Sequence, residues 1–159
     1  MSEPDLHAAL QTMGFRAQDL ALPDTLGDRP WYRRKQGMNL QHLLLLDLTD
    51  PRSPPVEEAF AAFRTFVNGQ YVMPRALRFT APYILHVLLC EGLDPELERW
   101  VRRAPRSTVW GGEKNHVLAL DRQGRRLVHQ DIVTRIDRTE RVLFDQVAFG
   151  QVLLQHAMR

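Results

Sequence analysis

The chain has 159 residues, 44% hydrophobic and 25% charged, the balance of an ordinary globular protein, and one domain is the default at this length. No apolar run approaches the roughly 20 residues of a bilayer span, and the acidic start Met-Ser-Glu-Pro-Asp lacks a secretory pattern, so a cytoplasmic protein without membrane attachment is expected. The net charge of +2 hides an asymmetry: residues 1–98 carry 9 basic and 13 acidic side chains, residues 99–159 carry 12 and 6. A basic C-terminal third suits nucleic acid or an acidic protein surface. Arginine supplies 19 of the 21 basic residues, a bias that GC-rich coding also produces. The single Cys90 can form no internal disulfide.

Leu6, Leu10 and Met13 share one helical face, with Pro4 near its start and Gly14 just past its end. Residues 15–22 read as a strand, and 23–28 as a loop. The stretch Trp-Tyr-Arg-Arg-Lys over 31–35 reads as an edge strand kept soluble by its charges. Aromatics beside arginines also suit stacking on single-stranded nucleic acid. Gln36-Gly37 turns the chain into residues 40–50, Leu-Gln-His-Leu-Leu-Leu-Leu-Asp-Leu-Thr-Asp, around which the rest is organised. Four consecutive leucines are too short for a membrane and lack alternation, which points to a strand covered on both faces.

Ser53 is placed to cap a helix with Pro54 at its first position. Val56, Phe60, Phe63 and Val67 mark that helix's apolar face, Phe66 widens it, and Asn68-Gly69 ends it in the left-handed conformation. Residues 71–79 read as partly extended. Tyr83-Ile-Leu-His-Val-Leu-Leu-Cys90 is the second buried strand, parallel to the first because a helix separates them. Asp94-Pro95-Glu96 opens another helix, with Leu97, Trp100 and Val101 inward and Arg102 and Arg103 in its last turn. Residues 109–114 form a loop. Residues 116–120 and 125–128 form a hairpin, closed by Asp121-Arg122-Gln123-Gly124 with a left-handed glycine. Thr139 caps a final helix faced by Leu143, Val147 and Leu154, where Gly150 allows close approach. The expected fold is α/β: one domain with a mixed sheet of about five or six strands and helices on both faces.

Ligands of open parallel sheets bind beyond the carboxyl ends of the strands. Asp47 and Asp50 leave the first buried strand there and Glu91 the second, so three carboxylates could meet around a hard cation such as Mg²⁺ for phosphate or phosphodiester hydrolysis. The same residues suit plain loop capping and solvation. Arg99, Arg102, Arg103 and Arg106 run along and beyond one helix, and Arg122, Arg125 and Arg126 sit at a hairpin tip. Both sets could contact phosphates or another anion, and neither carries a base-reading motif. Cys90 and His86 share a strand face, but a buried cysteine is ordinarily inert. The histidines lack zinc spacing.

Asp47-Leu48-Thr49 with Ser53 is not the metal-binding loop of von Willebrand factor A domains, because Pro51 stands where its last serine belongs. Gly111-Gly112-Glu113-Lys114 lacks the spacing of a phosphate loop. The order helix, three strands, helix, strand over residues 3–90 resembles the core of the restriction-endonuclease-like fold. That family places an acid on its second strand, where Asp28 could stand, and Asp/Glu-x-Lys on its third. This chain has Gln41-His42-Leu43 there, so the resemblance implies a scaffold without its catalytic set. The first expectation is therefore a non-catalytic binding or regulatory module contacting a protein partner or itself, with no cofactor. A metal-dependent hydrolase and a nucleic-acid binder are the alternatives.

Overall fold

A computed structural model describes residues 3–37, 39–71, 81–106, 112–132 and 144–158. The elements are α1 (Glu3–Thr12), β1 (Arg16–Ala17), β2 (Trp31–Gln36), β3 (Asn39–Asp47), α2 (Val56–Asn68), β4 (Tyr83–Cys90), α3 (Pro95–Arg103), β5 (Lys114–Asp121), β6 (Arg126–His129) and α4 (Gln146–Ala157). They build one six-stranded mixed sheet whose spatial order is the chain order. The pairs β3–β4 and β4–β5 are parallel, and β1–β2, β2–β3 and β5–β6 are antiparallel. No helix among the described residues is long and apolar enough to cross a membrane.

The leucine run explains the layering. In β3 successive side chains point to opposite faces, so four leucines serve two cores at once. Leu43 and Leu45 join Leu6, Leu10, Phe149 and Leu153 under α1 and α4. Leu44 and Leu46 join Phe60, Phe63, Val67 and Val101 under α2 and α3. All eight residues of β4 are buried for the same reason, and Asp47 pairs with Leu89 in parallel register. The expected order of helix, three strands, helix and strand over the first 90 residues is observed, as is the close approach at Gly150: a Cβ there would lie 2.7 Å from the Leu127 methyls.

Several local expectations are corrected. The first strand is two residues long instead of spanning 15–22, because past Gln18 the backbone leaves β2; the Leu20 carbonyl accepts from the Trp31 indole instead. The strand at 31–36 lies inside the sheet between β1 and β3, with Trp31 and Tyr32 buried. Its charges do not solubilise an edge: the Arg34 guanidinium lies 4.3 Å from the Phe15 ring centroid and donates to Gln41. Ser53 does not cap α2, whose N-cap position is Pro55 without a side-chain bond; the Ser53 hydroxyl donates to the Asp47 carbonyl. Gly69 ends α2 with φ −65°, in the right-handed region. In the β5–β6 turn the left-handed residue is Arg125, φ 53°, while Gly124 is required because its Cβ would lie 2.5 Å from Asp121 Oδ2. The described part of the final helix is capped by Asp145, which accepts from the N–H groups of Val147 and Ala148. Thr139, Leu143 and the expected extension over 72–79 lie outside the described residues.

Candidate functional site

The carboxyl-end edge of the parallel strands carries the residues expected to bind metal, and each has a partner of its own. Asp47 Oδ1 accepts from the Thr49 amide at 2.9 Å and the Thr49 hydroxyl at 2.6 Å. Asp50 accepts from the Arg52 amide and side chain, and those bonds hold its carboxyl below the usual range. Glu91 pairs with Arg122 at 2.7 Å. Among the described residues no group of three His, Cys, Asp or Glu side chains is placed to hold a metal ion. Asp28 stands in the loop ahead of β2, not on the strand, and with Arg29, Asp50 and Arg52 lines an open polar groove of about 300 Å³. Arg29 stitches that groove together by donating to the Leu26 and Arg52 carbonyls.

The basic residues divide. Arg126 reaches Asp121 and Glu98, and Arg102 reaches Glu98 and Asp131, forming a network that ties α3 to the β5–β6 hairpin. Asp121 is its hub: one oxygen accepts from the N–H groups of Gly92 and Gly124. Burial pushes its carboxyl up, but those amides and Arg126 outweigh burial and leave its pKa lowered. Arg106 is buried instead of lying on an outer face. Arg99, Arg103 and Arg125 are exposed and make no ion pair among the described residues.

The sequence reading missed three buried histidines toward the opposite end of the strands, divided between the two faces of the sheet. His42, His86 and His116 interrupt the apolar runs of β3, β4 and β5, each at least 97% buried. The His42 Nδ1–H donates to the Tyr83 carbonyl, and the His116 Nδ1–H donates to Gln146 Oε1 at 2.8 Å. Burial lowers the His42 pKa to about 4, partly opposed by the Tyr83 bond. Burial lowers His86 to about 3, opposed by the Asn115 amide and reinforced by the Arg64 charge. Burial lowers His116 to about 4, opposed by Gln146. All three are neutral imidazoles at pH 7. Beside them Glu113, with no exposed surface, accepts from Arg64 and Asn68. The available signal was a single histidine at a comparable position within each of three apolar strands. Spacing along the chain could not show that Phe60 and Phe63 of α2 cover His86, while Tyr71 lies against His42 and Phe144 against His116.

Cys90 behaves as a small core residue. Its Sγ–H faces the Leu120 carbonyl at 3.5 Å, and burial, with the Asp121 charge adding, pushes its pKa up to about 12. The native chain is therefore expected not to react with a disulfide reagent at pH 8, while guanidinium-unfolded chain reacts at once. Modification of the folded protein within minutes would contradict this.

The fold and these sites define the class as a three-layer α/β/α protein on a mixed six-stranded sheet. Comparison with protein-family models, with curated proteins and with solved structures gives no match.

Proposed function

We propose that the chain is a non-catalytic binding module that contacts a protein partner, or a second copy of itself, through the outer face of the α2/α3 layer. Unequal covering of the two cores among the described residues carries this reading. Among those residues the core under α2 and α3 is fringed by nine half-buried apolar side chains, including Leu48, Val56, Phe66, Leu93, Leu97 and Trp100. The core under α1 and α4 has three such neighbours among them, Met13, Leu127 and Met158. The same two helices carry exposed charges, Glu57 and Glu58 on α2 and Arg99 and Arg103 on α3. Aromatic and aliphatic side chains left part-exposed on helices that also carry exposed charges suit contact between proteins. The local partners of Asp47, Asp50 and Glu91, and of Arg102, Arg122 and Arg126, favour it over hydrolysis or nucleic-acid binding. The reading places the chain in the cytoplasm, where a lone thiol stays reduced.

Light scattering over a wide concentration range, with cross-linking of the full chain in its native extract, tests this. Cross-links should map to α2 and α3, and Leu97→Asp should abolish the assembly while leaving the fold intact. A chain that stays monomeric, with cross-links elsewhere or none, removes the proposal. Stabilisation by Mg²⁺ lost in Asp47→Asn would replace it with the hydrolase. Steeply salt-dependent nucleic-acid affinity would replace it with the phosphate-binding alternative.

A further inference from the structure

The sheet ends at β1. Among the described residues no strand pairs with its outer side, and Arg16 and Ala17 are both exposed. The Gln18 N–H donates to the Trp31 carbonyl, and Ala17 stands opposite Tyr32. Backbone groups alternate along an antiparallel strand, so the N–H and C=O of Ala17 point away from β2. Charges of opposite sign gather at the two ends of this strand. Arg16 is in register with Arg33, and Lys35 lies two residues further along β2, past the start of β1. At the other end Asp19, Asp24 and Asp28 line an open groove of about 500 Å³ beside the exposed Leu20. None of these six charged side chains makes an ion pair among the described residues.

We propose that β1 pairs with the β1 of a second copy of this chain, antiparallel about a two-fold axis near Ala17. Such an axis reverses one strand against the other, so the arginine end of each copy meets the aspartate end of its partner. The outward N–H and C=O of Ala17 gain partners in the same step, and the two six-stranded sheets become continuous.

Short strands and exposed charges ordinarily keep a sheet edge from pairing. Charges protect an edge when like signs meet across it. Here a two-fold axis brings unlike signs together at both ends, so the same residues favour one pairing and oppose the others. Parallel pairing of the two edges would set arginine on arginine and aspartate on aspartate. An acidic peptide added at β1 would meet Arg16 but also the three aspartates, and a basic peptide would meet the reverse. A second copy satisfies both ends at once. The strand is short, so the contact rests on charge and is expected to be weak and sensitive to salt. It uses neither α2 nor α3, and it holds or fails apart from the contact proposed for them.

The test is sedimentation equilibrium of the full chain over a wide concentration range, with charge reversals at exposed positions. The parent chain should form dimers that high salt dissociates. Arg16→Glu and Asp19→Lys should each weaken dimerisation about a hundredfold, because like charges then meet at both ends. Mixed in equal amounts, the two variants should pair with each other, since each supplies the sign that the other lacks. Ala17→Pro should also weaken pairing, while the monomer keeps its own hydrogen bonds because the lost N–H faces away from β2. The proposal fails if the parent stays monomeric at every concentration. It fails equally if a dimer forms that both reversals leave intact, or if the mixed variants stay apart. Leu97→Asp, which breaks the α2/α3 contact, should leave pairing through β1 unchanged. A dimer lost in Leu97→Asp and kept in Ala17→Pro belongs to that other face and overturns this proposal alone.

Discussion

Replacing Arg64 by methionine is expected to lower the stability of the fold by about 3 kcal/mol, and the melting temperature by about 6–12 °C for a chain of this size. Arg64 reaches up from α2 and brings two nitrogens to Glu113 Oε1, one of them at 3.0 Å. Asn68, one turn further along α2, holds Glu113 Oε2 at 2.8 Å. The Glu113 side chain has no exposed surface, while that of Arg64 is 25% exposed and its guanidinium lies over Phe60 at 5.3 Å. Removing the cation leaves a carboxylate in the interior, where its solvation cannot be recovered. Removing both charges is a different matter. The double variant Arg64→Met/Glu113→Leu should regain most of the loss, since apolar residues of similar volume replace buried ion pairs at little cost. Denaturant unfolding of the two singles and the double measures the coupling. A single-variant loss below about 0.5 kcal/mol, the size of an ordinary surface change, would show that the pair does not hold α2 to the sheet.

Mild acid is expected to unfold the protein, and histidines rather than carboxylates should start the process. His42, His86 and His116 titrate at about 4, 3 and 4 in the folded chain, against roughly 6.5 when unfolded. Below pH 6.5 the unfolded chain therefore binds protons that the folded chain refuses. Stability present above pH 6.5 is lost as the pH falls toward the folded values. Each group contributes up to about 1.4 kcal/mol per pH unit, so the three together remove about 5 kcal/mol between pH 7 and pH 5. That is comparable with the whole stability of many domains. Asp121, whose pKa is lowered, adds to the loss only below the ordinary carboxylate range. Urea unfolding at pH 7 and pH 5 gives the difference directly, and His42→Leu should flatten the dependence by about one proton. A difference under about 1 kcal/mol would mean that water reaches these rings.

Two kinds of information were legible in the chain before any coordinates. Leu43–Leu46 and the run ending at Cys90 announced doubly covered strands, because an apolar residue at every position fits only a strand with protein on both sides. The helix of residues 95–103 announced its own start through Asp94 and Pro95, and the Asp94 carboxylate does accept from the Glu96 amide. The candidate sites were less legible. Asp47 and Glu91 do leave neighbouring parallel strands, but hydroxyls and amides a few residues away, or an arginine at the end of the next parallel strand, take up their oxygens. A list of carboxylates does not reveal which nearby donor reaches them first.

What the sequence determined by itself follows from local chemistry: strand and helix periodicity, the Asp94 cap and the order of elements. These depend on residues within a turn or a pleat of each other, so neighbours in the chain settle them. The tertiary structure decided what depends on partners far along the chain. It placed β2 inside the sheet, seated Arg64 on Glu113 across 49 intervening steps, and buried three histidines deeply enough to keep them neutral. Desolvation and ion pairing are set by how packed layers meet in space, and no window of sequence carries that distance.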